Sequence, residues 1–147
     1  MNQPPPFVPV TYSKKDDENL NLLSIFHYIL AGIEFLGIPM LIFHFLMMNT
    51  LLTPEMWESS GSTPPPPELA GVFRGIYVFS GLIILTLVGA NIAAALFLKK
   101  RTNRMFLLIV SGINCLNMPL GTVLGVFTII VLTKPHIFDH FEKKQPS

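Results

Sequence analysis

Three long apolar runs dominate the chain and leave few folds open to it. They extend from Leu22 to about Asn49, from Gly71 to Leu98, and from Met105 to Thr133. Each holds roughly 28 residues, about 42 Å as helix at ~1.5 Å per residue. A bilayer's hydrocarbon core is about 30 Å thick, so each run can cross once, with tilt or with its ends among the headgroups. Inside hydrocarbon every backbone N–H and C=O must be paired within the protein, and no closed barrel fits three continuous runs of this length. The expected fold is an all-α membrane protein with three long transmembrane helices, over about 22–49, 71–98 and 105–133.

Composition supports this reading. Half of the residues are hydrophobic and only 13% are charged, too few to clothe a soluble domain of 147 residues. The net charge of +1 gives no field to attract nucleic acid. The single cysteine, Cys115, lies within an apolar run and cannot form an intrachain disulfide. Residues 1–21 are polar and carry Pro4, Pro5, Pro6 and Pro9, which reads as a flexible N-terminal tail. This opening lacks the basic start and immediate apolar stretch of a cleaved signal peptide, so the first run is expected to act as an uncleaved anchor.

The connections orient the helices. Residues 50–70 contain Glu55, Glu58 and Glu68, no Lys or Arg, and a stiff Pro64-Pro65-Pro66-Pro67 spacer. Trp57 suits a membrane surface. The second connection is short and basic, with Lys99, Lys100, Arg101 and Arg104. The positive-inside rule places it in the cytoplasm, which puts the N-terminus inside and loop 50–70 outside. Arg74 can reach the outer interface.

The third run is ambiguous because Pro119 and Gly121 interrupt it. One reading is a single helix broken or kinked near Pro119. The other is a helical hairpin turning at Asn117-Met118-Pro119, giving four helices. Length favours the single crossing, because each hairpin arm would span only about 20 Å. Residues 134–147 read as a short amphipathic tail beginning at Pro135.

Ionisable groups within apolar helices are rare and are functional candidates. Glu34 lies near the middle of the first run, and His27 shares its face two turns earlier. Asn114 and Asn117 in the third run reach comparable depth, and Asn91 in the second is expected nearer to His27. His27, Glu34, Asn91, Asn114 and Asn117 thus form a candidate intramembrane polar cluster. It serves either as a proton or cation relay or as structural hydrogen bonding between helices. The pairs Gly71/Gly75 and Gly121/Gly125 are GxxxG motifs that allow close helix packing. His27 and His44 are about 25 Å apart along one helix and cannot share a haem. His136 and His140 have a spacing that can hold a metal, but lack the intervening acid of a zinc hydrolase. No cofactor is therefore expected.

The segment Asn117-Met118-Pro119-Leu120-Gly121-Thr122-Val123-Leu124-Gly125-Val126-Phe127, after the basic Lys99–Arg104 turn, carries a resemblance. With Ile25-Phe26-His27-Tyr28, it resembles a widespread group of small bacterial multi-pass membrane proteins. These share a C-terminal Asn-x-Pro-x-Gly-Thr-x-x-Gly-x-aromatic segment and have no assigned activity. The resemblance implies a bacterial inner-membrane layout and no chemistry. No P-loop, dinucleotide fingerprint or nucleophile elbow occurs, and too few ionisable groups converge for an enzyme. The expected role is a small non-enzymatic membrane protein, an accessory or self-associating component within the bilayer or a larger membrane complex. The alternative is a transporter or ion-conducting oligomer using Glu34.

Overall fold

The computed structural model describes residues 11–63 and 66–144, and within them every regular element is helical. The proline-rich opening through Val10, Pro64-Pro65 of the stiff spacer, and residues 145–147 lie outside the described residues. The helices are α1 (Lys14–Leu51), α2 (Pro54–Ser59), α3 (Pro67–Lys100), α4 (Arg104–Asn114), α5 (Leu120–Leu132) and α6 (Pro135–Lys144). Two of them, α1 and α3, are long and apolar enough to cross a membrane. A third span would require counting α5 and α6 together, although they bend by 79°.

Helix α1 begins eight residues before its apolar run, so residues 14–21 are not the flexible tail expected. The Asp16 half of a capping box marks the early start. The Ser13 amide and hydroxyl both donate to Asp16 Oδ2, at 3.0 and 2.9 Å, satisfying groups that a helix start otherwise leaves open. Helix α1 also continues through Pro39. Within membrane helices, neighbouring groups and local adjustment make such a proline tolerable.

The chain divides into two compact units. One is Ile29–Asn91, in which α1 and α3 run antiparallel. The Cβ position of Gly37 lies 3.9 Å from Ile84 Cδ1, that of Gly81 lies 3.7 Å from Leu41 Cδ2, and His44 meets Tyr77. Trp57 Nε1 donates to the Leu51 carbonyl at 2.8 Å, closing the end of α1. The outward surfaces are apolar, with Leu36, Met40, Phe43, Val78 and Phe79 all largely exposed.

The other unit joins the chain up to Tyr28 with Ile92 onward. Here α3 ends in a Schellman turn. The Arg101 amide donates to the Leu98 carbonyl and the Thr102 amide to that of Phe97, at 3.3 and 3.1 Å. Arg101 takes the left-handed position, φ 58°, that glycine usually fills. The core holds Leu20, Leu23, Leu98, Leu107, Leu132, Ile137 and Phe141.

The third apolar run is not one kinked helix, the reading that length favoured. It is a hairpin of α4 and α5. Arg104 Nε, at the start of α4, donates to the Leu132 carbonyl at the end of α5, at 2.9 Å. A continuous helix would separate those residues by about 42 Å. Pro119 has no N–H to extend α4, and the glycines allow α5 to return directly against it. A Cβ at Gly121 would lie 2.7 Å from the Asn114 carbonyl oxygen, and one at Gly125 would lie 2.8 Å from Cys115 Sγ and collide with the Ser111 carbonyl oxygen. The Thr122 hydroxyl donates to the Cys115 carbonyl at 2.8 Å, satisfying one acceptor at the bend. The arms are about 16 and 20 Å long.

The two glycine pairs therefore differ. Among the described residues, beyond the glycines' own chain neighbours and helix backbone, nothing lies within 4 Å of the Cβ positions of Gly71 and Gly75. Gly125→Ala should lower unfolding free energy in detergent by about 1–3 kcal/mol, the usual cost of overpacking, whereas Gly71→Ala should leave it unchanged. Equal stability of both variants would remove the close α4–α5 approach from this account.

Candidate functional site

Glu34 and Asn91 meet in the Ile29–Asn91 unit. Asn91 Nδ2 donates to both carboxyl oxygens of Glu34, at 3.1 and 3.0 Å. Asn91 is fully buried and Glu34 half-buried. Asn91 was expected at a shallower level than Glu34, closer to His27, and it nonetheless reaches the Glu34 carboxyl. Helical side chains lean towards their own N-termini. In an antiparallel pair Glu34 and Asn91 lean towards each other and bridge an offset of about one turn. Counting Cα positions alone misses this. A neutral amide donor can hold a carboxylate or a carboxylic acid here, so the pair is chemically able to bind and release a proton. Among the described residues no group of three or more His, Cys, Asp or Glu side chains could hold a metal ion.

His27, Asn114 and Asn117 belong to the other unit. His27 is fully buried. The Thr128 hydroxyl donates to the Leu124 carbonyl at 2.8 Å. Its oxygen is therefore left to accept from His27 Nε2 at 3.3 Å, so that nitrogen carries a proton. Ser24 Oγ ties α1 to α3 by donating to the Ala95 carbonyl at 2.8 Å, and Ser111 Oγ donates within α4 to the Leu107 carbonyl at 2.7 Å. Asn114 is buried, and Asn117 packs beside the Gly121 Cβ position.

A third constellation was not anticipated. It gathers residues before the first apolar run, from the basic turn and after the last run. Arg101 is buried at 4% exposure. It donates to Asp17 Oδ1 through Nη2 at 2.9 Å, to Asn21 Oδ1 at 3.1 Å, and to the Leu98 carbonyl. Tyr12 donates to Asp17 Oδ1 at 2.5 Å, and its ring stacks on His140 with centroids 3.8 Å apart. His136 Nε2 meets Asp16 Oδ1 at 3.3 Å. The two histidines considered as a metal pair thus fasten α6 to the start of α1. The Ser13-x-x-Asp16 capping box was the legible signal for this region. Nothing in the sequence marks Arg101 as a buried cation.

These charges shape one another. Burial pushes the Asp16 carboxyl up, but the Ser13 donors and His136 outweigh it and leave its pKa below the ordinary aspartate value. Tyr12 and then Arg101 hold Asp17 below that value as well. Burial, followed by Asp17, raises the Tyr12 phenol against the opposing effect of Arg101.

No family model matches the chain, and no curated protein and no solved structure is found to match it.

A carboxylate whose folded pKa is lowered stabilises the fold above its unfolded pKa, and that contribution is lost as pH falls through the folded value. Amide-exchange protection of α6 should therefore drop on acidification below about pH 3–4, the ordinary aspartate range and below. Asp16→Asn with Asp17→Asn should remove that acid transition. An unchanged transition in the double variant would show that other groups secure α6.

Proposed function

We propose that this chain is a non-enzymatic multi-pass membrane protein that acts through helix packing, as an accessory or self-associating component. The observation that carries the reading is the apolar outward surface of α1 and α3, which water would not tolerate and acyl chains suit. The open small-residue face at Gly71 and Gly75 supports association, because no close approach among the described residues uses it. The bacterial inner membrane is the proposed location, on the strength of the resemblance carried by Asn117–Phe127.

In this reading α1 and α3 cross the bilayer and the α4–α5 hairpin enters and leaves by one face. Its arms are too short to cross a core of about 30 Å. Support comes from the contacts that join Tyr12, Asp16 and Asp17 to Arg101, His136 and His140. Groups in contact share one membrane face, so both ends of the described chain lie with the basic turn, in the cytoplasm by the positive-inside rule. A membrane-impermeant thiol reagent tests this in a Cys115→Ser background. Ser60→Cys should label in intact cells, and Asp139→Cys only after lysis. Labelling of both in intact cells would restore a third crossing.

A second reading has its own observation, the half-buried Glu34 carboxyl held by Asn91. A carboxyl at the middle of a span is rare and marks a candidate carrier of a proton or cation. One preparation separates the readings. Packing predicts that Gly71→Ile with Gly75→Ile reduces the mass of the complex in detergent at unchanged thermal stability, and that proteoliposomes show no flux. Proton or cation flux that a well-folded Glu34→Gln variant abolishes would overturn packing in favour of transport.

A further inference from the structure

We propose that Arg74 and Tyr77 form a binding site for the phosphate of a phospholipid headgroup, at the membrane face opposite the basic turn. The inference rests on the membrane reading and adds a ligand to it.

Depth is the first argument. The polar layer around Asp17, Asn21 and Arg101 ends where the apolar runs begin, at Leu22 on α1 and before Lys99 on α3. Along α1, His44 lies about 33 Å beyond Leu22 at ~1.5 Å per residue; along α3, Tyr77 lies about 33 Å beyond Lys99. The two measures agree, and His44 and Tyr77 are in contact. A hydrocarbon core of about 30 Å ends just short of this pair. Arg74, one turn further along, falls at headgroup level.

Chemistry is the second. Among the described residues Arg74 has no hydrogen-bond or ion-pair partner, and it is exposed between Phe73 and Gly75 on an apolar helix. A guanidinium stays charged and matches phosphate oxygens with two parallel donors. Arg74 and Tyr77 are three residues apart and share a helix face. Both lean towards the N-terminus of α3, and so towards the headgroups. His44 Nδ1 lies 2.5 Å from the Tyr77 hydroxyl, and Phe45 packs edge-on against the same ring at 5.3 Å. These contacts fix the phenol in place. When Nδ1–H donates to the phenol oxygen, the phenol's own proton is left for a phosphate oxygen. The result is a cation and an oriented hydroxyl at phosphate depth, beside an aromatic surface for the upper acyl chain.

The test is native mass spectrometry of the full chain in detergent, titrated with phosphatidylglycerol. Diacylglycerol, which has the tails without phosphate, and inorganic phosphate serve as competitors. The wild-type chain should retain phosphatidylglycerol, Arg74→Gln should weaken it by about tenfold, and Tyr77→Phe should weaken it by a smaller factor. Arg74→Lys should fall between wild type and Gln. Neither competitor should displace the lipid. Equal binding by wild type and Arg74→Gln, or displacement by diacylglycerol, would overturn the site. Displacement by inorganic phosphate would overturn the lipid as its ligand. Absence of the chain from the membrane fraction would instead overturn the membrane reading on which the site depends.

Discussion

The close contact of α5 with α4 is the interaction on which the rest of its unit depends. Two glycines, 121 and 125, admit it, and an added methyl at either would meet backbone or sulfur within van der Waals distance. Because α5 returns along α4, Thr128 can receive His27, and the Leu132 carbonyl can accept from Arg104. The same return brings the chain to Pro135, where α6 starts and places Ile137 and Phe141 in the core. The Arg104 guanidinium lies 4.5 Å from the Phe138 ring centroid, so one cation serves both the end of α5 and the start of α6.

Hydroxyl groups in this protein find backbone carbonyl acceptors, within a helix or across to a neighbour. Ser24, Ser111, Thr122 and Thr128 each return a hydroxyl proton to a carbonyl. No buried side-chain nitrogen or oxygen among the described residues lacks a partner. An unpaired polar atom would cost about 1–3 kcal/mol in such surroundings. Short hydroxyl side chains within helices are therefore part of how an apolar chain tolerates bends and close contacts.

Helices α1 and α3 were legible because long apolar runs admit little else. The start of α1 was legible too, in Ser13-x-x-Asp16, but proline content drew attention to the preceding residues. Pro119, Gly121 and Gly125 marked the break in the third run without saying which way the chain would turn. Length weighed against a hairpin because arms of about 20 Å cannot cross, and a contact between Ser111 and Gly125 is not written in periodicity. The Glu34–Asn91 contact was not legible from Cα rises alone, because side-chain lean bridges their offset. Arg101 was least visible, since a left-handed turn position ordinarily signals Gly or Asn, and its burial depends on Asp17 and Asn21 from a distant part of the chain.

The fastening of α6 to the start of α1 bears on how the protein is made. His136 follows its partner Asp16 by 120 residues. Synthesis runs at about 5–20 residues per second, so the first turn of α1 waits roughly 6–24 seconds for that partner to be translated. During that interval Asp16 has only Ser13, and Tyr12 has Asp17 but no His140 on which to stack. An early segment is completed by a helix made 120 residues later, so this unit closes only after α6 has been synthesised.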